Sequence, residues 1–200
     1  IDAGVAFQVR QAFENARHNP LAKTLRVCRD PIGAPNLLSP AEAQQTLHAA
    51  VLTAGSTDLP IAEEALETLA WMGVAAQRFE DIGVAGPQRL AAAIPQLRLA
   101  SAVVVIAGME GALPAVVGGY LAAPVFAVPT SVGYGASLAG LTAMMGMLSS
   151  CVSNVAVVNV DAGFKGGFLA GLVVSQLQRL SEREPSEQVN APDLAQGMPA

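Results

Sequence analysis

The spacing of hydrophobic positions changes near residue 49. From Ala49 onward, short apolar runs of strand length alternate with stretches of helical spacing, and each run ends in a polar or glycine-rich turn. Ala50–Ala54 leads into Gly55-Ser56-Thr57-Asp58, and Ser101–Ala107 into Gly108-Met109-Glu110-Gly111. Pro124–Pro129 leads into Thr130-Ser131-Val132-Gly133-Tyr134-Gly135, and Val155–Val160 into Asp161-Ala162-Gly163. The more polar run Ala75–Phe79 predicts a further strand, at a sheet edge. Between the strands the spacing predicts helices over 60–73, 87–100, 112–122, 136–150 and 166–182. The first is the best marked: Asp58 suits its cap, Pro60 its first turn, Glu63 and Glu64 its positive end, and Gly73 its stop. Apolar strands alternating with helices predict a parallel sheet covered on both faces, and five such units predict a flavodoxin-like, doubly wound α/β fold. In that architecture ligands collect beyond the carboxyl ends of the strands, the position of all four turns.

Residues 1–48 read as a helical appendage on a catalytic domain spanning 49–182. They predict a helix over about 3–18, a proline-containing loop over Asp30–Pro40, and a short helix opened by Ser39-Pro40. Residues 183–200 hold three prolines and no periodicity, and predict a disordered tail. The chain opens on Ile1 rather than Met, which suggests a fragment or a processed start.

Composition sharpens this picture in one place. Charged residues make up 14% of the chain, against roughly 25% in an average soluble domain. The deficit is local: from Leu99 to Val160 the only formally charged residue is Glu110. Glycines and prolines such as Gly108, Pro114, Pro124 and Pro129 interrupt this stretch, so it reads as protein interior and no membrane association is expected. A net charge of −5 and a pI near 4.9 provide no basic field for phosphates, which excludes a nucleic-acid partner. Two cysteines, Cys28 and Cys151, make no disulfide framework, and with no signal peptide visible a reducing cytoplasm is the expected compartment. Scarce aromatics and abundant small residues predict close packing of elements, between subunits as well.

Several residues invite chemistry. Gly55-Ser56-Thr57-Asp58 opens a helix with small residues that let backbone N–H groups approach an anion, although a plain helix cap explains it equally. Glu110 lies between glycines in an apolar sequence that would desolvate it, which suits a general acid/base; the alternative is a first-turn residue of the next helix. Thr130-Ser131-Val132-Gly133-Tyr134-Gly135 offers hydroxyls, permissive backbone and a phenol suited to a phosphate or ribose. Asn159 and Asp161 end a strand where a ribose or metal contact fits. Cys151 on pattern alone reads as a small buried hydrophobe. His18 and His48 lie away from these turns, and no group of residues proposes a zinc site.

Taken together, Gly108-Met109-Glu110-Gly111-Ala112-Leu113-Pro114, Pro129 to Ser137, Ser150-Cys151 and Val155 to Phe164 resemble the pyridinium-3,5-biscarboxylic acid mononucleotide synthases, the LarB family. Thr53 to Ala65 and Gly83-Val84-Ala85-Gly86 with Arg89 fit the same family, so the resemblance spans about residues 49–175. The family is related to phosphoribosylaminoimidazole carboxylase. Those carboxylases carry a histidine just before Leu-Pro in the equivalent loop, where this chain has Ala112, which argues against purine biosynthesis. Two other departures are a missing Gly-Glu-Gly-Lys-Thr block ahead of the core and Gln88 in place of a histidine before Arg89.

The resemblance implies carboxylation of nicotinic acid adenine dinucleotide at pyridinium C5 by CO2 or bicarbonate, with hydrolysis of the phosphoanhydride to AMP. This is a step toward the nickel-pincer nucleotide cofactor of lactate racemase. It implies Cys151 as nucleophile and Glu110 as acid/base. Substrate contacts fall to Ser56, Thr57, Asp58, Arg89, Gly108, Met109, Thr130, Ser131, Gly133, Tyr134, Asn159 and Asp161. It further implies magnesium, with no ligand residues assigned and no organic cofactor, and a homo-oligomer of which an octamer is one form. The alternatives are another carboxylase of an azaheterocyclic ribonucleotide, or a non-catalytic flavodoxin-like nucleotide-binding module.

Overall fold

The structure is a computed structural model, and it describes residues 1–28 and 33–182. The predicted tail and the start of the predicted proline loop lie outside the described residues. An amino-terminal helix α1 (Ala3–Ala12) is followed by strands β1 (Arg17–Asn19) and β2 (Thr24–Arg26) and a short helix α2 (Pro40–Ala43). The domain then alternates: β3 (Ala49–Thr53), α3 (Leu59–Trp71), β4 (Ala76–Phe79), α4 (Pro87–Leu97), β5 (Ala102–Ala107), α5 (Leu113–Tyr120), β6 (Val125–Pro129), α6 (Leu141–Leu148), β7 (Val155–Val157) and α7 (Gly163–Glu182). Turns of 3-10 helix precede α3 at Ser56–Asp58 and α6 at Gly135–Gly140.

Strands β3 to β7 form one parallel sheet in the order β4-β3-β5-β6-β7, the flavodoxin-like order. The polar strand β4 is at an edge, as its sequence predicts. Period-two alternation divides the two faces. Leu52, Val103, Val105 and Ala127 meet α4 and α5 on one side, while Val51, Val104, Ile106 and Val128 meet α3 and α7 on the other. On the second face Gly163, Gly167 and Gly171 line α7 where it crosses α3. A Cβ at Gly167 would stand 2.6 Å from the Ala65 carbonyl oxygen, so only glycine permits this approach. Gly118, Gly140 and Gly146 likewise face neighbours within the chain, whereas Gly119 faces open space.

Three sequence expectations change. The appendage is not purely helical: α1 stops at Ala12, and β1 pairs antiparallel with β2. The Asn19 carboxamide accepts the N–H groups of Leu21 and Ala22, an Asx turn that competes with helix at Asn19-Pro20. The helix expected over 136–150 begins only at Leu141, because Leu138, Ala139 and Gly140 take left-handed backbone. Asp58 does not cap α3 with its side chain; its carboxylate turns back toward Gly55 and across to β6.

The hairpin docks on α3 through charge. Arg17 and Arg26 both pair with Glu67, with Nε atoms at 3.4 and 2.6 Å from its carboxylate oxygens, and the Asn19 amide donates to the same group at 3.0 Å. Glu63 pairs with Arg78 at 2.9 Å, tying α3 to β4.

Candidate active site

All five parallel strands deliver their carboxyl ends to one edge of the sheet, and the loops there enclose a cleft of about 220 Å³. Its walls come from three loops: Gly55, Thr57 and Asp58 after β3, Gly83 to Ala85 after β4, and Gly108 to Glu110 with Ala112 after β5. Val132, after β6, closes one side. Backbone approaches backbone here. A Cβ on Gly108 would collide with the Val132 carbonyl oxygen and come within 2.7 Å of Thr130 Oγ1, and one on Gly83 would stand 2.6 Å from the Ala54 carbonyl. Three non-glycine residues in these carboxyl-end loops, Asp81, Met109 and Asp161, take positive φ of 54 to 55°. Such strain collects where a site over-determines its backbone.

Asp58 is the charged group at the floor of the cleft and is buried. Thr130 Oγ1 donates to its Oδ1 at 2.8 Å, and the Gly55 N–H donates to its Oδ2 at 3.0 Å. Burial pushes its carboxyl above the ordinary value of 3.8, the two hydrogen bonds offset part of that rise, and the Asp161 charge adds to it. Asp161 in turn accepts the Ser131 N–H at 2.8 Å, so the ends of β6 and β7 are tied by the same pair of loops.

Of the residues singled out from sequence, Thr57, Asp58, Gly108, Met109 and Glu110 line this cleft. Thr130 is buried behind Asp58, and Asp161 stands close enough to influence its charge. Ser56 and Ser131 are exposed beside the cleft, as is Gly133. Tyr134 points away from the protein, 82% exposed. Arg89 is held at the surface by Asp81, Nη1 to Oδ2 at 2.7 Å, and Asn159 is exposed with its carboxamide accepting the Val160 N–H. Gly83, Val84 and Ala85 enter the cleft without a chemical signature of their own; in the sequence only their place in the family resemblance marks them.

Glu110 is exposed rather than desolvated, because its loop stands on the rim. It lines the cleft and also a shallow groove that runs along α6 past Leu141, Met145 and Gly146 to Ser149. Nor does it lie in the first turn of α5, which starts at Leu113. Cys151 is exposed, not a buried hydrophobe, and stands two residues beyond the groove, where the chain turns back to enter β7. It is not part of the cleft of its own chain.

Among the described residues no group of three histidine, cysteine or acidic side chains is placed to hold a metal, and no helix is long and apolar enough to cross a membrane.

The chain is 44% identical over 131 residues to an uncharacterised protein of Methanocaldococcus jannaschii, an alignment covering 64% of this chain and 50% of that protein. It therefore spans about half the length of this curated relative. Two Treponema denticola crystal structures are similar at 18% identity: a variant of PurE2, with a TM-score of 0.49 over 72% of this chain and 99% of the other, and PurE, with 0.46 over 70% and 98%. Residues 48–196 match the family described as AIR carboxylase, which takes in the whole parallel sheet and its cleft. The chain belongs to the AIR carboxylase family.

Proposed function

We propose that this protein carboxylates nicotinic acid adenine dinucleotide at pyridinium C5 and hydrolyses its phosphoanhydride, yielding pyridinium-3,5-biscarboxylic acid mononucleotide and AMP for a nickel-pincer nucleotide. Family membership supports the coarser part, a carboxylase acting on a heterocyclic nucleotide. The finer part rests on the resemblance at Glu110 and Cys151, and one observation supports it: Glu110 lines the cleft, and the thiol of Cys151 is free and exposed, open to the cleft of a second copy.

The chemistry explains why a thiol is needed. A pyridinium carbon is electron-poor and does not attack CO2. Addition of the Cys151 thiolate to C6 gives an enamine whose C5 is nucleophilic. C5 then bonds to CO2, a base removes the C5 proton, and the thiolate departs with the C6–S electron pair as the ring regains aromaticity. Glu110 is the proton-handling group in this reading. Thr57, Asp58, Gly108 and Met109, with Ser56, Thr130, Ser131 and Gly133 around them, hold the nicotinate mononucleotide half. Arg89, Tyr134, Asn159 and Asp161 are outer contacts.

Magnesium fits this site in a limited way. The carboxylates at hand are Asp58, in the cleft, and Asp161, whose charge acts on it, and the cleft lining holds no lysine or arginine. Magnesium is held by one or two carboxylates plus substrate phosphates in such settings, and bound there it would neutralise phosphoanhydride charge. Because Cys151 lies outside the cleft of its own chain, the reading requires a homo-oligomer that brings the α6 edge of one copy against the cleft of another. Leu138, Leu141, Met145 and Leu148 supply an exposed apolar surface along that edge.

The test is direct. The protein is incubated with nicotinic acid adenine dinucleotide, magnesium and labelled bicarbonate, and mass spectrometry follows AMP and the labelled dicarboxylated mononucleotide. Cys151→Ser should abolish label incorporation; full incorporation by that variant sinks the thiolate mechanism. The position of Cys151 outside the cleft favours one competing reading, a carboxylase of another azaheterocyclic ribonucleotide that needs no thiol. Carboxylation of such a ribonucleotide by the serine variant would establish it.

A further inference from the structure

A second cavity, of about 290 Å³, lies where the hairpin strand β2 meets α3 and the start of α7. This is close to the lower limit for small-ligand pockets, the size of an amino acid rather than a nucleotide. Its lining carries both signs of charge, Arg26 against Glu64 and Glu67. Arg26, 8% exposed, is paired with Glu67, which lines the cavity as well and also takes Arg17, a residue outside it. Arg26 Nη2 donates to the Gly33 carbonyl, but among the described residues Nη1 has no partner, and neither has the buried hydroxyl of Thr24. A buried donor left without an acceptor is a standing penalty, larger when it is charged. Glu64 stands in the same lining. No lysine or arginine pairs with its carboxylate among the described residues; its donors are the backbone N–H groups of Gly163 and Phe164 at the start of α7. Burial and the Asp161 charge push its carboxyl above the ordinary range, the mark of an anion short of a counter-charge. The rings of Trp71 and Phe164 line the same cavity and remain half exposed.

A lone anion brought to Arg26 would face Glu64, and a lone cation brought to Glu64 would face Arg26. A ligand carrying both charges answers both groups, and aromatic rings in the same lining favour a cationic nitrogen. We propose that this cavity binds a small zwitterion, its carboxylate set against Arg26 Nη1 and Thr24 and its cationic nitrogen against Glu64 beside Trp71 and Phe164. The site is separate from the carboxyl-end cleft and stands whether or not the carboxylase reading holds.

Trp71 is the only tryptophan in the chain, so its fluorescence reports on this cavity alone. The full chain is titrated with glycine betaine and γ-aminobutyrate, and with choline and acetate as the matched lone charges at equal ionic strength. At least one zwitterion should shift Trp71 emission saturably with a Kd of about 1 mM or below, and neither lone ion should. Glu64→Gln keeps an oxygen for the Gly163 and Phe164 N–H groups but removes the charge, and should weaken that binding by about tenfold or more, a change worth about 1.4 kcal/mol. Circular dichroism and thermal melting verify its fold, and the wild-type titrations decide the matter even if the variant fails to fold. No saturable response to either zwitterion up to about 10 mM overturns the proposal. Choline or acetate binding as tightly as the zwitterion also overturns it, as does unchanged affinity in a folded Glu64→Gln variant.

Discussion

Around the cleft, Gly83 and Gly108 bring main chain against main chain, and the charged groups are carboxylates: Asp58, buried, with Asp161 near enough to act on it, and Glu110 at the rim. Around the hairpin, Arg17, Arg26 and Glu67 fix the geometry with side chains, and backbone contacts are few. The two regions therefore fail in opposite ways. The cleft tolerates a change of charge but not an added methyl, because its walls are carbonyl oxygens that cannot move aside. The hairpin face tolerates small changes of shape but not the loss of one ion, because the remaining partner stays buried and uncompensated.

The strongest way to break this comparison is at Glu67. Glu67→Ala should destabilise the fold by about 3–5 kcal/mol, measured by urea unfolding, since Arg26 would be left buried without its carboxylate. A loss below about 1 kcal/mol would show that the hairpin lifts off at little cost and that Arg26 is not truly confined. Next is Gly108→Ala, which places a methyl against the Val132 carbonyl and Thr130 Oγ1. It should cost about 1–3 kcal/mol and abolish nucleotide binding in the cleft, read by calorimetric titration, while zwitterion binding at Trp71 persists.

A pH series on Asp58→Asn is gentler. The native state keeps the Asp58 proton to higher pH than the unfolded chain does, because burial raises its carboxyl above 3.8. Wild-type stability therefore falls by this group's share as pH rises from that value through the raised one, and the penalty is constant above. Asparagine keeps an acceptor for the Gly55 N–H, and its amide can donate to the Thr130 hydroxyl. The difference in unfolding free energy between variant and wild type should thus grow in favour of asparagine across that window and then level off. A pH-independent difference would mean that Asp58 titrates normally. Smallest of all is Arg89→Ala, which removes an exposed pair with Asp81 and should change stability by less than about 1 kcal/mol.

Much of the scaffold was legible because burial writes itself into apolar spacing. The strands from Val51 to Val128 are near-continuous hydrophobic runs, as both faces of a parallel sheet demand, and β4 announces its edge position with Gln77 and Arg78. The cleft was legible in part for the same reason: turns after such strands fall at the carboxyl edge whatever their residues. The hairpin was not legible, since Arg17-His18-Asn19 and Thr24-Leu25-Arg26 are too short and too polar to show a period. The break at Leu138 and Ala139 left no trace either, because neither residue favours left-handed backbone on its own.

What the sequence determined by itself is the fold class, the strand ends where the cleft opens, and the residue chemistry at Asp58, Glu110 and Cys151. Those features depend on local spacing and identity. Only the tertiary structure decided which of them meet. It drew Asp58 to Thr130 across 72 positions of chain and left Cys151 exposed beyond α6. It also set Arg26 and Glu64, which no motif connects, in the lining of one cavity. The physical reason is that hydrophobic period is a property of neighbours along the chain, whereas the encounter of charges depends on how separate elements pack.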